Sequence, residues 1–292
     1  MNINNIKNLP LYFISIFKSF LYSKLKYRIN AGFKKNGRSI FIIGLGPSLK
    51  KDILFLNPES PLVDYFGVNN FVNSKYFIDL KPKYYLIIDP VYWRNPSHQE
   101  NISFRKAFFD SINTKTTWNL TLFFPCTANL NYLRKFLKNP LIKLKLFNSV
   151  GIPTVNSTFY YELMDTQLFA PNGDNVLIHS IYLSMVLGYD PIYLLGADAS
   201  WHEYLHINQN SNELTIKMNH FDKSSNTIRY VDDLKTKRAD IVWMFEFLYK
   251  TFNSFKVVSD YADYKKIKIY NCSSFSWVDS LERKDIKKIN CE

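Results

Sequence analysis

Residues 44–48, with the sequence Gly-Leu-Gly-Pro-Ser, directly follow the apolar run 40–43 and could bind a phosphate group. Glycines let backbone N–H groups approach a ligand, proline suits the first turn of a helix, and a serine hydroxyl can cap that helix or bind phosphate oxygens. The pattern predicts a cradle for a nucleotide phosphate. Leu49 replaces the last glycine of a Gly-x-Gly-x-x-Gly motif, so a tight turn without a ligand is the alternative.

Polar residues also follow other apolar runs. Asn69 and Asp89 come after the runs 62–68 and 84–88, and Asp198 comes shortly after 192–195. Ligands bind beyond the carboxyl ends of the strands in an open parallel sheet, so these positions predict one shared site. Ordinary turn and cap chemistry is the alternative for Asn69 and Asp89.

The polar segment 202–232 holds three of the five histidines: His202, His206 and His220. A histidine titrates near neutral pH and therefore suits a general base. Residues 202–206 also match the His-Glu-x-x-His pattern of zinc proteases, but that pattern requires one sustained helix, whereas here it closely follows a strand end. We therefore predict a lid over about 199–234 near the active site, and no metal site.

Other signatures are missing from the chain. It has no Asp-x-Asp pair for a metal-bound diphosphate, no Gly-x-x-x-x-Gly-Lys-Ser/Thr phosphate loop and no Gly-x-Ser-x-Gly elbow. The cysteines Cys126, Cys272 and Cys291 are widely separated and odd in number, which argues against a disulfide framework and favours a reducing compartment.

The 292 residues, 47% of them hydrophobic, are enough for one large domain or two small ones. The net charge of +12 suggests acidic partners without choosing among nucleotides, anionic sugars, anionic lipids and nucleic acid. The basic residues do not gather on one recognition helix, so nucleic acid is not expected as a partner.

Apolar runs predict the elements that must position these residues. Residues 10–35 mix apolar and basic side chains at helical spacing, which predicts a basic amphipathic helix in the segment 1–36. Such a helix could lie on a membrane surface or pack on protein, and its apolar run is too short to span a bilayer. We expect strands at 40–43, 62–68, 84–88, 120–124, 192–195 and 266–270, and helices at 50–55, 175–188 and 236–252. Residues 37–280 would form one domain, 281–292 would be an exposed basic tail, and 140–175 give no clear pattern.

Four stretches carry a family resemblance: Ile-Ile-Gly-Leu-Gly-Pro-Ser-Leu at 42–49, Gly-Val-Asn-Asn-Phe at 67–71, Asp-Pro at 89–90, and Leu-Gly-Tyr-Asp-Pro-Ile-Tyr-Leu-Leu-Gly-Ala-Asp at 187–198. Their combination resembles the bacterial sialyltransferases of glycosyltransferase family 42. It also resembles the MptE-like group, a former domain of unknown function that includes a pterin pyrophosphokinase and proteins of surface-polysaccharide loci. The likeness covers roughly residues 38–275 in matching order.

The resemblance implies an α/β, Rossmann-like fold of a GT-A-like variant, with a mostly parallel sheet and helices on both faces. It implies a metal-independent, inverting transfer of a sialic acid-like or Kdo-like sugar from a CMP-activated donor, with no further cofactor. His220 would be the base, His202 the second choice, and Asp198 would lie in the catalytic centre. The donor would be held by Gly44, Leu45, Gly46, Pro47, Ser48, Asn69, Asp89, Gly196 and Ser273.

The chain departs from the sialyltransferases at two places. The family has an arginine and a Thr-Ser pair before the helix that ends in Leu-Gly-Tyr, whereas this chain has Gly-Asp-Asn-Val at 173–176. The position of the family's catalytic histidine holds Lys235, and His220 is the nearest histidine upstream. The Gly-Ala-Asp-x-Ser-Trp and Asn-His-Phe sequences are more similar to the polysaccharide-locus members of the MptE-like group.

The expected partners are the CMP-sugar, a glycan or lipid-linked acceptor of capsule or lipopolysaccharide type, and the cytoplasmic face of the inner membrane through the N-terminal helix. A homo-oligomer is compatible with the sequence. Two alternatives stay open. One is a pyrophosphokinase that uses ATP and Mg²⁺, and the other is a nucleotide-binding protein without catalytic activity.

Overall fold

A computed structural model describes residues 9–94, 99–151, 158–217, 228–230 and 239–289. Eight of its strands form one sheet in the order β11-β10-β6-β1-β2-β3-β4-β5, and every neighbouring pair is parallel. A second, antiparallel sheet has the order β7-β8-β9. The strands are β1 (Ser39–Ile43), β2 (Val63–Val68), β3 (Tyr84–Leu86), β4 (Leu120–Pro125), β5 (Ile142–Phe147), β6 (Ile192–Leu195), β7 (Leu205–Asn208), β8 (Glu213–Lys217), β9 (Ile228–Tyr230), β10 (Ile269–Asn271) and β11 (Glu282–Arg283).

Strand β1 lies in the middle of the large sheet, between β6 and β2. Its side chains alternate between two cores: Ile40 and Ile42 pack on one face of the sheet, and Phe41 and Ile43 on the other. All four are fully buried. A strand that is covered on both faces reads as a continuous apolar run, which explains why this segment is recognisable in the sequence.

Helices cover both faces of the sheet. They are α1 (Leu9–Tyr22), α2 (Leu49–Asp52), α3 (Tyr76–Leu80), α4 (Gln99–Lys115), α5 (Leu130–Phe136), α6 (Thr158–Asp165), α7 (Val176–Val186) and α8 (Ile241–Lys265). Helices α6, α7 and α8 contribute to one core, and α2 to α5 contribute to the other. Every residue of α7 is buried, in keeping with its nearly uniform apolar sequence. The predicted α/β, Rossmann-like fold class is therefore confirmed.

The predicted helix over 10–35 is wrong beyond Tyr22, where α1 ends. A short 3₁₀ helix, Leu25–Tyr27, follows, and tertiary hydrogen bonds hold the residues around it. The Lys24 N–H donates to Asn148 Oδ1 at 2.9 Å, and the Ile29 N–H donates to Gln167 Oε1 at 2.7 Å. Among the residues that the structure describes, no helix is both long and apolar enough to cross a membrane.

Four further segments differ from the sequence-based expectation. The unassigned stretch 140–175 contains β5 and α6, and α8 continues to Lys265 rather than ending near residue 252. The predicted exposed tail instead contributes β11, and Ile286 is buried. The predicted lid contains the small antiparallel sheet, while 218–227 and 231–238 lie outside the described residues.

Candidate active site

A cavity of about 270 Å³ lies beyond the carboxyl ends of β1, β2 and β6. Strand order reverses here, because β2 neighbours β1 on one side and β6 neighbours it on the other. Loops that leave two such strands diverge and open a crevice, the usual ligand site of open α/β sheets. Residues 44–47 and 196–201 form two walls of the cavity, and residues 174–177 at the start of α7 form a third. The structure thus joins the two glycine-bearing corners that the sequence singled out.

Gly44 and Gly46 are both required by the packing of these two corners. A Cβ on Gly44 would lie 2.5 Å from the Gly196 carbonyl oxygen, and one on Gly46 would lie 2.1 Å from Asp198 Oδ1. Real Cβ atoms do not approach other atoms so closely, so neither position accepts a larger residue without movement of the backbone. Gly196 itself has a φ of +61°, a conformation that favours glycine.

Asp198 connects the β6 corner to the β1 corner. Its carboxylate accepts a hydrogen bond from the Ser48 N–H at 2.9 Å and another from the Ser48 hydroxyl at 2.6 Å. Both residues are buried. Burial raises the pKa of Asp198, as does the nearby Asp52, and this outweighs the two hydrogen bonds, which lower it. The Ser48 amide and hydroxyl therefore bind a carboxylate of the chain itself, and phosphate binding by the loop stays a prediction.

Asn69 lies in the cavity wall at the end of β2. Its φ is +48°, which asparagine tolerates better than most residues, and its carbonyl oxygen accepts a hydrogen bond from the Tyr85 hydroxyl at 2.7 Å. Tyr85 is fully buried, and its hydroxyl also accepts from the Val72 N–H at 2.8 Å. This pair of bonds holds the Asn69 backbone at the cavity edge.

Asp89 and Ser273 lie outside the cavity lining. Asp89 is exposed, and its side chain accepts from the Val91 N–H at 2.8 Å, the cap chemistry that the sequence left as the alternative. The Ser273 hydroxyl oxygen accepts from the Ala197 N–H at 3.0 Å, so this residue supports the β6 corner from behind.

The histidine candidates do not all lie within the described part of the structure. His220 lies outside the described residues. His202 belongs to the short 3₁₀ helix Trp201–Tyr204, and its ring packs edge-on against Trp277 with centroids 4.3 Å apart. Its Nδ1 is buried without a hydrogen-bond partner among the described residues. Trp201 and Tyr204 line the cavity, whereas His202 does not.

The His-Glu-x-x-His match has no zinc-site geometry. His202 is in the 3₁₀ helix, while His206 is exposed on β7, so the two rings do not share a face of one helix. Across the described part of the chain, no group of three or more His, Cys, Asp or Glu side chains could hold a metal ion.

Sequence reasoning missed several cavity residues. Asn175 caps α7, accepting from the Leu177 N–H at 2.9 Å, and its neighbour Asp174 is exposed. Trp201 and Phe247 form an aromatic wall, with ring centroids 6.0 Å apart. The asparagine before an apolar helix was a readable cap signal, but nothing local indicated that Phe247 of α8 would reach the cavity. No lysine or arginine among the described residues lines this space.

Three solved structures are similar to this chain at low sequence identity. The MAf glycosyltransferase from Magnetospirillum magneticum AMB-1 matches with a TM-score of 0.51 and 12% identity, over 92% of this chain and 36% of that one. The sialyltransferase CstII from Campylobacter jejuni, solved with the substrate analogue CMP-3FNeuAc, matches with a TM-score of 0.44 and 15% identity, over 87% and 88% of the two chains. A mutant of the alpha-2,3/8-sialyltransferase CstII gives a TM-score of 0.42 and 16% identity, over 87% and 89%. Neither a family model nor a curated protein matches this sequence.

The chain shares the fold of the MAf glycosyltransferase. It spans about a third of the length of that protein. At 12% identity the likeness concerns the fold, so it supports the architecture expected from the sequence and leaves donor and acceptor to chemical argument.

Proposed function

We propose that this protein is a glycosyltransferase that takes an acidic, nonulosonic-type sugar from a CMP-activated donor and transfers it to a surface glycan or a lipid-linked acceptor. The observation that carries the proposal is the cavity at the switch point of the sheet, whose walls come from the β1 and β6 corners and the start of α7. The fold shared with a glycosyltransferase supports it. The choice of a CMP donor rests on the sequence resemblance described above.

The cavity offers two kinds of surface to such a donor. Trp201 and Phe247 provide flat apolar faces for the nucleobase or the sugar ring. The Gly44 and Gly46 N–H groups already donate to the carbonyl oxygens of Leu195 and Gly196. The Leu45 N–H is the donor of the glycine corner that would stabilise the charge that develops on the departing phosphate. Asp198 acts as a positioning residue in this proposal, because it fixes Ser48 at the end of the corner.

The reaction is an inverting displacement. A base accepts the proton of the acceptor hydroxyl, and the oxygen attacks the anomeric carbon of the sugar. The bond from that carbon to the phosphate oxygen breaks, and its electron pair leaves with CMP. His220 is the first choice as base. His202 is the second, and it would have to turn toward the cavity to act, because it does not line this space. The exposed Asp174 is a further carboxylate that lines this cavity.

Thermal-shift measurements with CMP, CDP, UDP, ATP, and ATP with Mg²⁺ test the donor. We expect stabilisation by CMP or CDP without metal, because a ligand that binds only the folded state raises its stability. Stabilisation by ATP only with Mg²⁺ would instead support the pyrophosphokinase alternative. A CMP response without transfer from any CMP-sugar would support a binding protein.

Two neighbouring phenylalanines of α8 provide a matched pair of variants. Phe247 lines the cavity, while Phe245 is 59% exposed and lies outside the lining. Phe247→Ala should weaken CMP binding about tenfold, since stacking on an aromatic ring contributes about 1 to 3 kcal/mol. Phe245→Ala should leave CMP binding unchanged. Equal effects of the two variants would place the nucleotide elsewhere.

We also propose that α1 holds the enzyme on the cytoplasmic face of the inner membrane. An apolar stripe on and just after this helix points to solvent: Phe13, Phe17, Leu21 and Leu25 are 65%, 64%, 57% and 69% exposed. Lys18, Lys24 and Lys26 lie beside it and would face anionic headgroups.

Co-sedimentation with vesicles tests the membrane proposal. The protein should sediment with vesicles that contain phosphatidylglycerol, and Phe13→Ser with Phe17→Ser should reduce the bound fraction. Loss of a dimer, rather than of vesicle binding, in the double variant would show that the stripe packs on a second copy.

A further inference from the structure

A second cavity, of about 530 Å³, lies between α2, the turn after β10 and the residues around β11. It shares no lining residue with the candidate active site. We call it the basic cleft, because four cationic side chains line it. They are Lys51, Arg283, Lys284 and Lys287.

Two carboxylates also line the basic cleft, but backbone groups of the chain already bind both. Asp52 Oδ2 accepts from the Ser274 N–H at 2.8 Å, and Asp285 Oδ1 accepts from the Lys287 N–H at 3.0 Å. The ion pairs found between described residues include none of the four cations. The cleft therefore has an excess of positive charge that no acidic side chain of the described chain neutralises by direct pairing.

Two of the cations, Lys284 and Lys287, are held over aromatic rings. The Lys284 ammonium lies 4.6 Å from the centre of the Tyr270 ring and 5.8 Å from that of Tyr193. The Lys287 ammonium lies 5.0 Å from the ring centre of Phe55. An ammonium over an aromatic face keeps its hydrogen-bond donors, so these groups are oriented but still able to bind a ligand.

Arg283 and Cys272 also line the basic cleft. The Arg283 Nη2 donates to the Ser273 carbonyl oxygen at 2.6 Å, which leaves other guanidinium donors for a ligand. Burial raises the pKa of the Cys272 thiol to about 12, despite the nearby cations. The thiol is thus neutral at physiological pH and adds no negative charge to the cleft.

We propose that the basic cleft is a binding site for a phosphate or pyrophosphate group. A guanidinium and three ammonium groups around one cavity suit a compact polyanion with several acceptor oxygens. The ligand is either a soluble phosphate compound or the phosphate of a lipid, which share this chemistry. The site is separate from the proposed sugar-transfer site and does not depend on that function.

Isothermal titration of the full-length protein with inorganic pyrophosphate tests the proposal. Lys51→Gln combined with Lys287→Gln should weaken binding at least about tenfold, because two charge-assisted contacts are lost. Both side chains are exposed, so the fold should tolerate the change. Binding by the wild type should also weaken as ionic strength rises.

Lys106→Gln combined with Lys143→Gln is the matched control. These lysines are exposed on α4 and β5, away from the cleft, and their replacement changes the net charge by the same amount. We expect this control to bind pyrophosphate like the wild type. Equal loss in the two double variants, or no binding by the wild type, would overturn the proposal.

Two further experiments locate the site and identify whether its ligand is soluble or part of a lipid. Saturation with CMP should leave pyrophosphate binding intact, and competition between the two ligands would overturn a separate site. If the cleft variant also binds phosphatidic acid vesicles more weakly, the proposal holds with a lipid phosphate as the ligand. If it loses pyrophosphate binding only, the proposal holds with a soluble phosphate. A failed CMP titration would refute the proposed donor without affecting the pyrophosphate result.

Discussion

Replacing Asp198 by asparagine and by alanine should separate its hydrogen bonds from its charge. An asparagine can accept from the Ser48 N–H with its oxygen and donate to the Ser48 hydroxyl oxygen with its amide. Alanine does neither and leaves two buried donors of Ser48 unpaired. At about 1 to 2 kcal/mol for each donor, Asp198→Ala should lose about 2 to 4 kcal/mol of stability. Asp198→Asn should lose less than about 1 kcal/mol at neutral pH.

The pKa of Asp198 determines whether its contribution to stability rises or falls with pH. Burial raises the pKa of Asp198 above its ordinary value of 3.8, so the folded state binds the proton more tightly than the unfolded state. The stability that this group contributes is fully present below pH 3.8 and is lost as the pH rises through the folded-state pKa. Asparagine does not titrate. The stability of Asp198→Asn relative to the wild type should therefore increase as the pH rises through this window.

Urea unfolding, followed by tryptophan fluorescence at several pH values, measures both quantities. The reasoning is refuted if asparagine and alanine destabilise equally, or if the difference between asparagine and the wild type does not change with pH. Transfer activity adds a separate readout. A folded Asp198→Asn protein that has lost activity would show that the carboxylate charge serves the reaction as well as the fold.

Two other substitutions, Asp64→Asn and Tyr85→Phe, test side-chain interactions that support the sheet. Burial raises the pKa of Asp64, but hydrogen bonds from Arg38, Tyr189 and Lys83 outweigh burial and lower it. The ionised carboxylate therefore contributes stability above pH 3.8 that is lost as the pH falls through the lowered pKa, and Asp64→Asn should cost about 2 to 3 kcal/mol at neutral pH in urea unfolding. A similar cost in acid would contradict this explanation. Tyr85→Phe leaves the buried Val72 N–H and Asn69 carbonyl without their partner and should cost about 1 to 3 kcal/mol, with weaker CMP binding. Unchanged stability would show that the hydroxyl does not hold this edge of the cavity.

Local sequence patterns predicted the strands that are buried on both faces. Strands β1 and β6 are continuous apolar runs because other strands and helices surround them, and they match the expected ranges within one residue. Strand β5 was missed because it lies at the sheet edge, where Lys143 and Lys145 interrupt the apolar pattern. The end of α1 at Tyr22 was missed because it depends on side chains more than a hundred residues away.

The residues of the candidate site were likewise predictable only where a local sequence pattern marks them. The glycine corner at 44–48 and the strand exit at 196–198 were both visible, since each breaks a buried strand. Their junction through Ser48 and Asp198 is a tertiary contact between distant parts of the chain, so no local pattern could reveal it. The approach of Phe247 to the cavity likewise depends on how α8 packs.

The bond between Ser48 and Asp198 spans 150 positions of the chain. Two walls of the candidate active-site cavity therefore come from the early and the late part of the polypeptide. No fragment that stops before β6 can contain this pocket. The cavity exists only when the parallel sheet is complete. A ligand that binds it therefore raises the stability of the whole folded chain, and its binding shows that folding is complete.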